Sequence, residues 1–399
     1  MARALDGDGV RLAAPPAAAA RATVWPARLA LGLAALLGVV GFVFGTSWDI
    51  QWHTYVGRDR TLVPPHVLML GAIALCGGAA AALVVIESLR ARRDPALAAA
   101  STPFADLFHA PLGAYIAGFG ALDAAAGFPL DVSWHALYGI DVSIWAPFHI
   151  MIISGMAFAA LGVAAWLLSA AQHATRAGAA GAARAGELGA LLAGAVAAGT
   201  LLLFLDAAFG RMEINLFGLP LNVFPVMCAG FGAFPLAVVA RAHPWRWAAC
   251  LTAAGFYALD LLVFFAIPRL TDALVVAEQQ TYRFDRPRFA DVSLLWPITL
   301  IIGALALDLA VRAARRRGWS AVATRRRLAL AAAVGFTLVV LLDPWFTLGS
   351  FRNFVAHLEL KGAMRLASYL ASLALGALAG LVAGWLGAAT GESLAGIER

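Results

Sequence analysis

The chain has 399 residues, of which 62% are hydrophobic and 13% are Asp, Glu, Lys or Arg, where a soluble domain carries about 25% charged residues. That balance excludes a soluble enzyme and points to an all-α, polytopic membrane helix bundle. The formal net charge of +6 comes from arginines in short connections between apolar stretches, which suits insertion topology and gives no reason to expect nucleic-acid binding.

Residues 1–23 are polar, Ala/Pro-rich and carry two acids. They read as a cytoplasmic tail, not a signal peptide. Apolar stretches near the ~20 residues needed to cross a bilayer follow. They fall at about 24–45, 65–86, 107–127, 145–170, 187–208, 222–240, 247–267, 292–312, 328–345 and 365–388, which makes about ten transmembrane helices. Residues 390–399 form a second tail. With the N-terminus inside, Arg90, Arg92 and Arg93, then Arg176 and Arg184, Arg241 and Arg246, and the run from Arg315 to Arg327 all fall in cytoplasmic connections. The positive-inside bias therefore expects both termini in the cytoplasm. The three cysteines, Cys76, Cys228 and Cys250, lie inside apolar stretches and form no CxxC pair. Neither a disulfide framework nor a thiolate metal site follows from them.

The connection between the first two spans reads DIQWHTYVGRDRTLVPPH, from Asp49 to His66. Asp49 and His53 are four residues apart, so on a helix they share one face. His66 follows Pro64 and Pro65 where the next span begins, and a Pro two residues before it suits a helix start. The stretch from Asp131 to His149, DVSWHALYGIDVSIWAPFH, repeats this pattern. Asp49, Trp52, His53, Gly57 and Asp59 recur as Asp131, Trp134, His135, Gly139 and Asp141, and Pro64-x-His66 recurs as Pro147-x-His149 after one inserted residue. The repeat unit is a pair of spans, so both copies are expected on the outer face. Residues 24–170 read as a tandem two-span repeat, and 171–389 as six further spans.

An Asp and two His form a nitrogen/oxygen donor set that suits copper, zinc, iron or nickel, and spacing does not choose among them. Asp59 and Asp141 could orient a ligand imidazole through its second nitrogen, and Arg58 could pair with Asp59 or Asp49. The plain alternative is an interfacial hairpin with belt tryptophans (Trp48, Trp52, Trp134, Trp145). That accounts for the Gly, Pro and Trp better than for an Asp and two His in each copy.

The two motifs resemble those of the copper-binding membrane subunit that carries two such segments in the particulate methane and ammonia monooxygenases. There the first copper segment reads D-x3-H, then R-D, then P-x-H, as do Asp49, His53, Arg58, Asp59, Pro64 and His66 here. The second reads N-x3-H-x13-H ending A-P-L-H, as Asp131, His135 and His149 do here, with Ala146-Pro147-Phe148-His149 at the end. The resemblance implies copper as cofactor, at one site of Asp49, His53 and His66 and another of Asp131, His135 and His149. It implies that the second site is the catalytic one, acting on O2 and a small apolar substrate. It also implies a bacterial inner membrane with the motifs at the periplasmic face, and partner monooxygenase-type subunits. Two departures stand out. The family's Asn is Asp131 here, and an acidic pair between the second-site histidines is missing. The match covers only about residues 25–170.

Of the remaining polar residues, Asp123, Asp206, Asp260, Asp308 and Asp343 fall within or late in spans. They could form a proton path, and capping or pairing is the simpler reading. Glu213, Asn215 and Asn222 lie in an outer loop that could approach the motifs. His357 is on the outer side and is a candidate extra ligand, whereas His109, His173 and His243 fall near the inner face. Three functions compete: a copper monooxygenase or part of one, a metal-handling or transport protein without oxygenase activity, and a haem protein ligated by His135 and His149. Expected partners are membrane lipid, other monooxygenase-type chains or a second copy of this one.

Overall fold

The structure is a computed structural model that describes residues 24–57, 62–139, 144–205, 213–290 and 297–396. Arg58, Asp59, Asp141 and Asp206 lie outside the described residues, as do the tail 1–23 and the last three residues. Ten long helices follow in order among the described residues: α1 (Trp25–Tyr55), α2 (Pro64–Ala91), α3 (Leu112–Tyr138), α4 (Pro147–Arg176), α5 (Ala180–Leu202), α6 (Phe224–Ala242), α7 (Ala248–Ala277), α8 (Leu300–Arg317), α9 (Ala321–Leu342) and α10 (Gly362–Gly396). Two short antiparallel hairpins interrupt them, β1–β2 (Thr102–Phe104 and Phe108–Ala110) and β3–β4 (Glu213–Leu216 and Leu219–Asn222). Seven of the helices are long and apolar enough to cross a membrane, and α9 with the bent turn after it makes an eighth. The chain is a multi-pass, all-α membrane protein.

Each expected span overlaps one of these helices, although seven or eight of them, not ten, meet the length and hydropathy of a membrane span. The third was expected at 107–127. The β1–β2 hairpin takes up residues to Ala110, and the helix then continues through Pro129 to Tyr138. The tenth runs on to Gly396, so most of the expected tail from 390 is helical.

The helices form two hydrophobic cores. One joins α1 to α5, the other α6 to α10 with the end of α5. Within the first, α1 and α2 form one hairpin and α3 and α4 a second; α1 also packs on α4, and α2 on α3. Small residues let these backbones meet, as in other membrane bundles. A Cβ at Gly155 would stand 2.7 Å from the Gly120 carbonyl oxygen, and one at Gly162 would stand 2.4 Å from the Ala117 nitrogen. Between α1 and α2 the same role falls to Gly38, whose Cβ would stand 2.7 Å from the Ala72 oxygen.

The end of this unit opposite the motifs is fastened by a buried charge. Arg28 of α1 is fully buried and donates to both carboxylate oxygens of Glu87 in α2, at 2.6 and 2.7 Å. It also donates to Ser169 of α4, Ser101 and the Ala100 carbonyl. A buried guanidinium is tolerated only when paired and hydrogen-bonded in this way. The pair holds three of the four helices that carry the motifs.

Candidate metal centres

Each motif sits where a helix hairpin turns. Asp49 and His53 occupy the last turns of α1, and Asp131 and His135 the last turns of α3. Gly57 and Gly139 follow at φ +69° and +87°, left-handed positions that end both helices and that glycine adopts without strain. Val56 N–H and Gly57 N–H both donate to the Trp52 carbonyl, and Gly139 N–H donates to that of His135. The returning helices start on Pro64 and Pro147, where the missing N–H leaves nothing unpaired. His66 and His149 therefore enter from the first turn of the second helix in each pair.

The geometry brings every expected ligand into its own cluster. In the first, His53 Nε2 and His66 Nε2 lie 3.4 and 2.9 Å from Asp49 Oδ1, with ring centroids 5.7 Å apart. In the second, His135 Nε2 and His149 Nε2 lie 3.8 and 3.4 Å from Asp131 Oδ1, with centroids 5.8 Å apart. In each triad one donor atom per residue lies within 4.8 Å of the other two. A metal bound at ~2.0–2.2 Å to imidazole nitrogen and carboxylate oxygen needs about this span.

The carboxylates test that fit. Oδ1 of Asp49 and of Asp131 is buried and accepts no well-formed hydrogen bond, although two imidazole nitrogens stand within 4 Å of each. A buried charged acceptor left this way is costly. A cation at the centre of the triad would satisfy it. The donor set thus fits a divalent metal.

The two triads are not separate sites. Both line a single cavity of about 70 Å³, together with Thr46, Ile50, Met69, Phe128, Ile144, Ile152 and Ile153. A water needs about 10–15 Å³ on this scale, so the space admits a few waters or one small molecule. Phe128 of the second hairpin stands edge-on to His66 of the first, centroids 5.7 Å apart. The sequence pattern pointed to the ligands but not to these wall residues. The missed signal was the i±3 rule: Thr46 precedes Asp49 by three, Phe128 precedes Asp131 by three, and Met69 and Ile152 follow His66 and His149 by three.

Other candidates fall elsewhere. Asp308 accepts from the Ala249 and Cys250 amides at the start of α7, and Asp343 from Trp345 N–H, so both act as caps. Asn222 bonds Ser350 and Ser372. Glu213, Asn215 and His357 are absent from the cavity lining. His173, near the end of α4 far from His149, and His109, in β2, are absent from the cavity lining, and His243 bonds the Glu187 carbonyl oxygen. Trp52, a belt residue on the plain alternative, is 1% exposed and belongs to the core. Haem ligation by His135 and His149 finds no room, because Asp131 sits against both nitrogens and the cavity is far smaller than the ~300 Å³ of even small ligand pockets. No family model, no curated protein and no solved structure matches this chain.

Proposed function

We propose that this chain is a copper-binding integral membrane protein in which two Asp–His–His triads hold two copper ions over one small cavity. The observation that carries the reading is the convergence of Asp49, His53, His66 and Asp131, His135, His149 on the same small cavity. Copper is chosen on the resemblance to the copper-binding membrane component of the methane and ammonia monooxygenases. The donor atoms alone would equally suit iron(II). On this reading the chain has ten transmembrane helices, both termini are cytoplasmic, and the cavity lies at the periplasmic side of a bacterial inner membrane.

The arrangement suits chemistry on a small molecule. Copper held there would supply one-electron chemistry toward dioxygen. The chain's own residues do the rest. The triads would hold two positive centres at the ends of helices. Ile50, Met69, Phe128, Ile144, Ile152 and Ile153 make the remaining wall apolar apart from Thr46, which suits a small apolar substrate such as one dissolved in the bilayer. Asp131, His135 and His149 are the residues proposed as catalytic, in an oxygenase formed by this chain alone or together with further subunits. The transport reading has less behind it, because Asp308 and Asp343 are engaged as caps instead of lining a path.

The test is metal analysis with EPR on purified protein. Two equivalents of copper are expected, falling to one in His135→Ala and in His149→Ala, with the spectrum of the first site retained. Copper content unchanged by either substitution would refute the second site. Iron in place of copper would refute the choice of metal.

A further inference from the structure

The two copies of the motif are built alike, yet their surroundings differ. The end of α1 is roofed by the C-terminal half of the chain. Leu274 and Val275 of α7 close on Trp52 and Val56, which are 1% and 4% exposed, and Tyr282 packs against them. Arg283 then clasps the helix end itself. Its backbone N–H donates to the Tyr55 carbonyl at 2.8 Å and its guanidinium donates to the Gly57 carbonyl at 2.6 Å. The guanidinium lies so close over Gly57 that a Cβ there would stand 1.6 Å from its central carbon. Phe284 adds an edge-on contact with Tyr55. The clasp is itself braced, because Tyr282 and Arg286, on either side of it, both bond Asp272 of α7.

The second copy has no such cover among the described residues. A Cβ at Gly139 would meet nothing within 4 Å. The positions equivalent to Tyr55 and Val56 are Leu137 and Tyr138, which are 77% and 71% exposed. Trp134, the counterpart of the buried Trp52, stacks within its own hairpin, on Tyr138 and Phe148. One helix end carrying an Asp and a His is therefore clamped, and the other has no such clamp among the described residues.

We infer that Arg283 is a positioning residue that makes the first triad a retention site, while the second triad, whose helix end is uncovered, is where an ion enters and leaves. The inference rests on the proposal that both triads hold metal. Its physical basis is that a multidentate ion leaves stepwise. His53 must swing away from Asp49 and His66, and the last turn of α1 cannot fray while Tyr55 and Gly57 are held. Among the described residues, no side chain from outside the repeat holds the backbone of the last turn of α3 in that way. Residues behind the ligands typically change metal affinity by about 10- to 100-fold when removed, so the clasp is expected to act on that scale.

The experiment loads full-length protein in detergent with copper(II), adds excess EDTA, and follows retained copper and its EPR signal with time. Two phases of equal amplitude are expected. His149→Ala should remove the fast phase and keep the slow one, and His53→Ala should do the reverse. Arg283→Ala should speed the slow phase about 10- to 100-fold while leaving the fast phase and the saturating content of two equivalents unchanged. Arg283→Lys, which can still donate to the Gly57 carbonyl, should restore slow release in part. Two equivalents leaving in one phase, or a slow phase that vanishes in His149→Ala, overturns the ordering of the sites. A slow phase unmoved by Arg283→Ala in folded protein overturns the role of the clasp. If Arg283→Ala does not fold, the two histidine variants still decide the ordering. Protein that takes up no copper overturns the metal proposal itself, and this inference with it.

Discussion

Gly155→Ala tests whether helix packing sets the second triad. A Cβ at residue 155 would lie 2.7 Å from the Gly120 carbonyl oxygen and 2.9 Å from the Ala124 nitrogen. Ordinary van der Waals contact begins near 3.4 Å, and neither neighbour is a flexible side chain. The backbones of α3 and α4 must therefore part by about 0.7 Å, since a packed interior offers no other slack. Asp131 and His135 ride on α3 and His149 on α4, so the separation falls between the ligands of one triad. His149 is six residues from Gly155, roughly 9 Å along the helix, too near for the shift to die away. Binding geometry tolerates about 0.5 Å, so the second site should lose its ion while the first, on α1 and α2, keeps its own. Overpacking of this kind destabilises by about 1–3 kcal/mol, which leaves the fold in place. The assay is copper stoichiometry with EPR, on protein that elutes as wild type in size exclusion. Gly78→Ala is the control, because nothing lies within 4 Å of its added carbon. Gly155→Ala protein that retains both equivalents and both signals would refute the link between the glycine contact and the triad. Equal loss from both sites would refute its selectivity.

Three further outcomes follow from single features. Gly38→Ala, whose added carbon would meet the Ala72 oxygen at 2.7 Å between α1 and α2, should mirror the first experiment and empty the first site, read by the same EPR. Arg28→Met should lower the thermal midpoint by an amount equivalent to about 3–5 kcal/mol, because Glu87 is left buried and unpaired, while Arg28→Met with Glu87→Met should recover most of it; a double variant no better than the single one would show that the ion pair is not the cause. His243, between α6 and α7, is held down to about 4 by burial and by the nearby Arg315 charge, against the opposing hydrogen bond to the Glu187 carbonyl. The unfolded chain then binds the extra proton between about 6.5 and 4, so stability is full above about pH 6.5 and falls as pH drops through that window. Thermal midpoints at pH 7.5 and 5 should differ in wild type and differ less in His243→Gln.

What the sequence made legible was local. The Asp-x3-His spacing, the Pro before each distant His and the span-length apolar runs are all written within a few residues of where they act, and the triads formed as spaced. The shared cavity was not legible, because it depends on how two hairpins dock, and that rests on packing of α1 on α4 and α2 on α3, where Gly77 meets Ala121 and Gly118 meets Ala80 across a helix pair. In the sequence those glycines are indistinguishable from the many others of a membrane helix. Arg283 was hidden for a different reason: it binds Gly57 from 226 residues away, and no local spacing links the two. Trp52 shows the limit of position-based reading. Its place near a span end suggested the membrane interface, but α7 lies across it and makes it core.

The C-terminal half, which the monooxygenase resemblance does not reach, gains a role from the cover it provides. A tandem repeat alone would give two equivalent cradles, and equivalence is of little use if one ion is to stay while the other site does work. The asymmetry here arises in two layers. Close in, Thr46 and Met69 of the first copy occupy the positions that Phe128 and Ile152 occupy in the second, so one copy offers the cavity a hydroxyl and a thioether and the other only hydrocarbon. Farther out, α7 and its following loop cover the first helix end, and among the described residues nothing covers the second in that way. The wall residues differ within the repeat itself, but the cover is supplied from outside it. Helices beyond the repeat need not carry ligands or a path of their own to matter; by clamping one copy they make two similar sites unequal, and that inequality is what a shared cavity with distinct tasks requires.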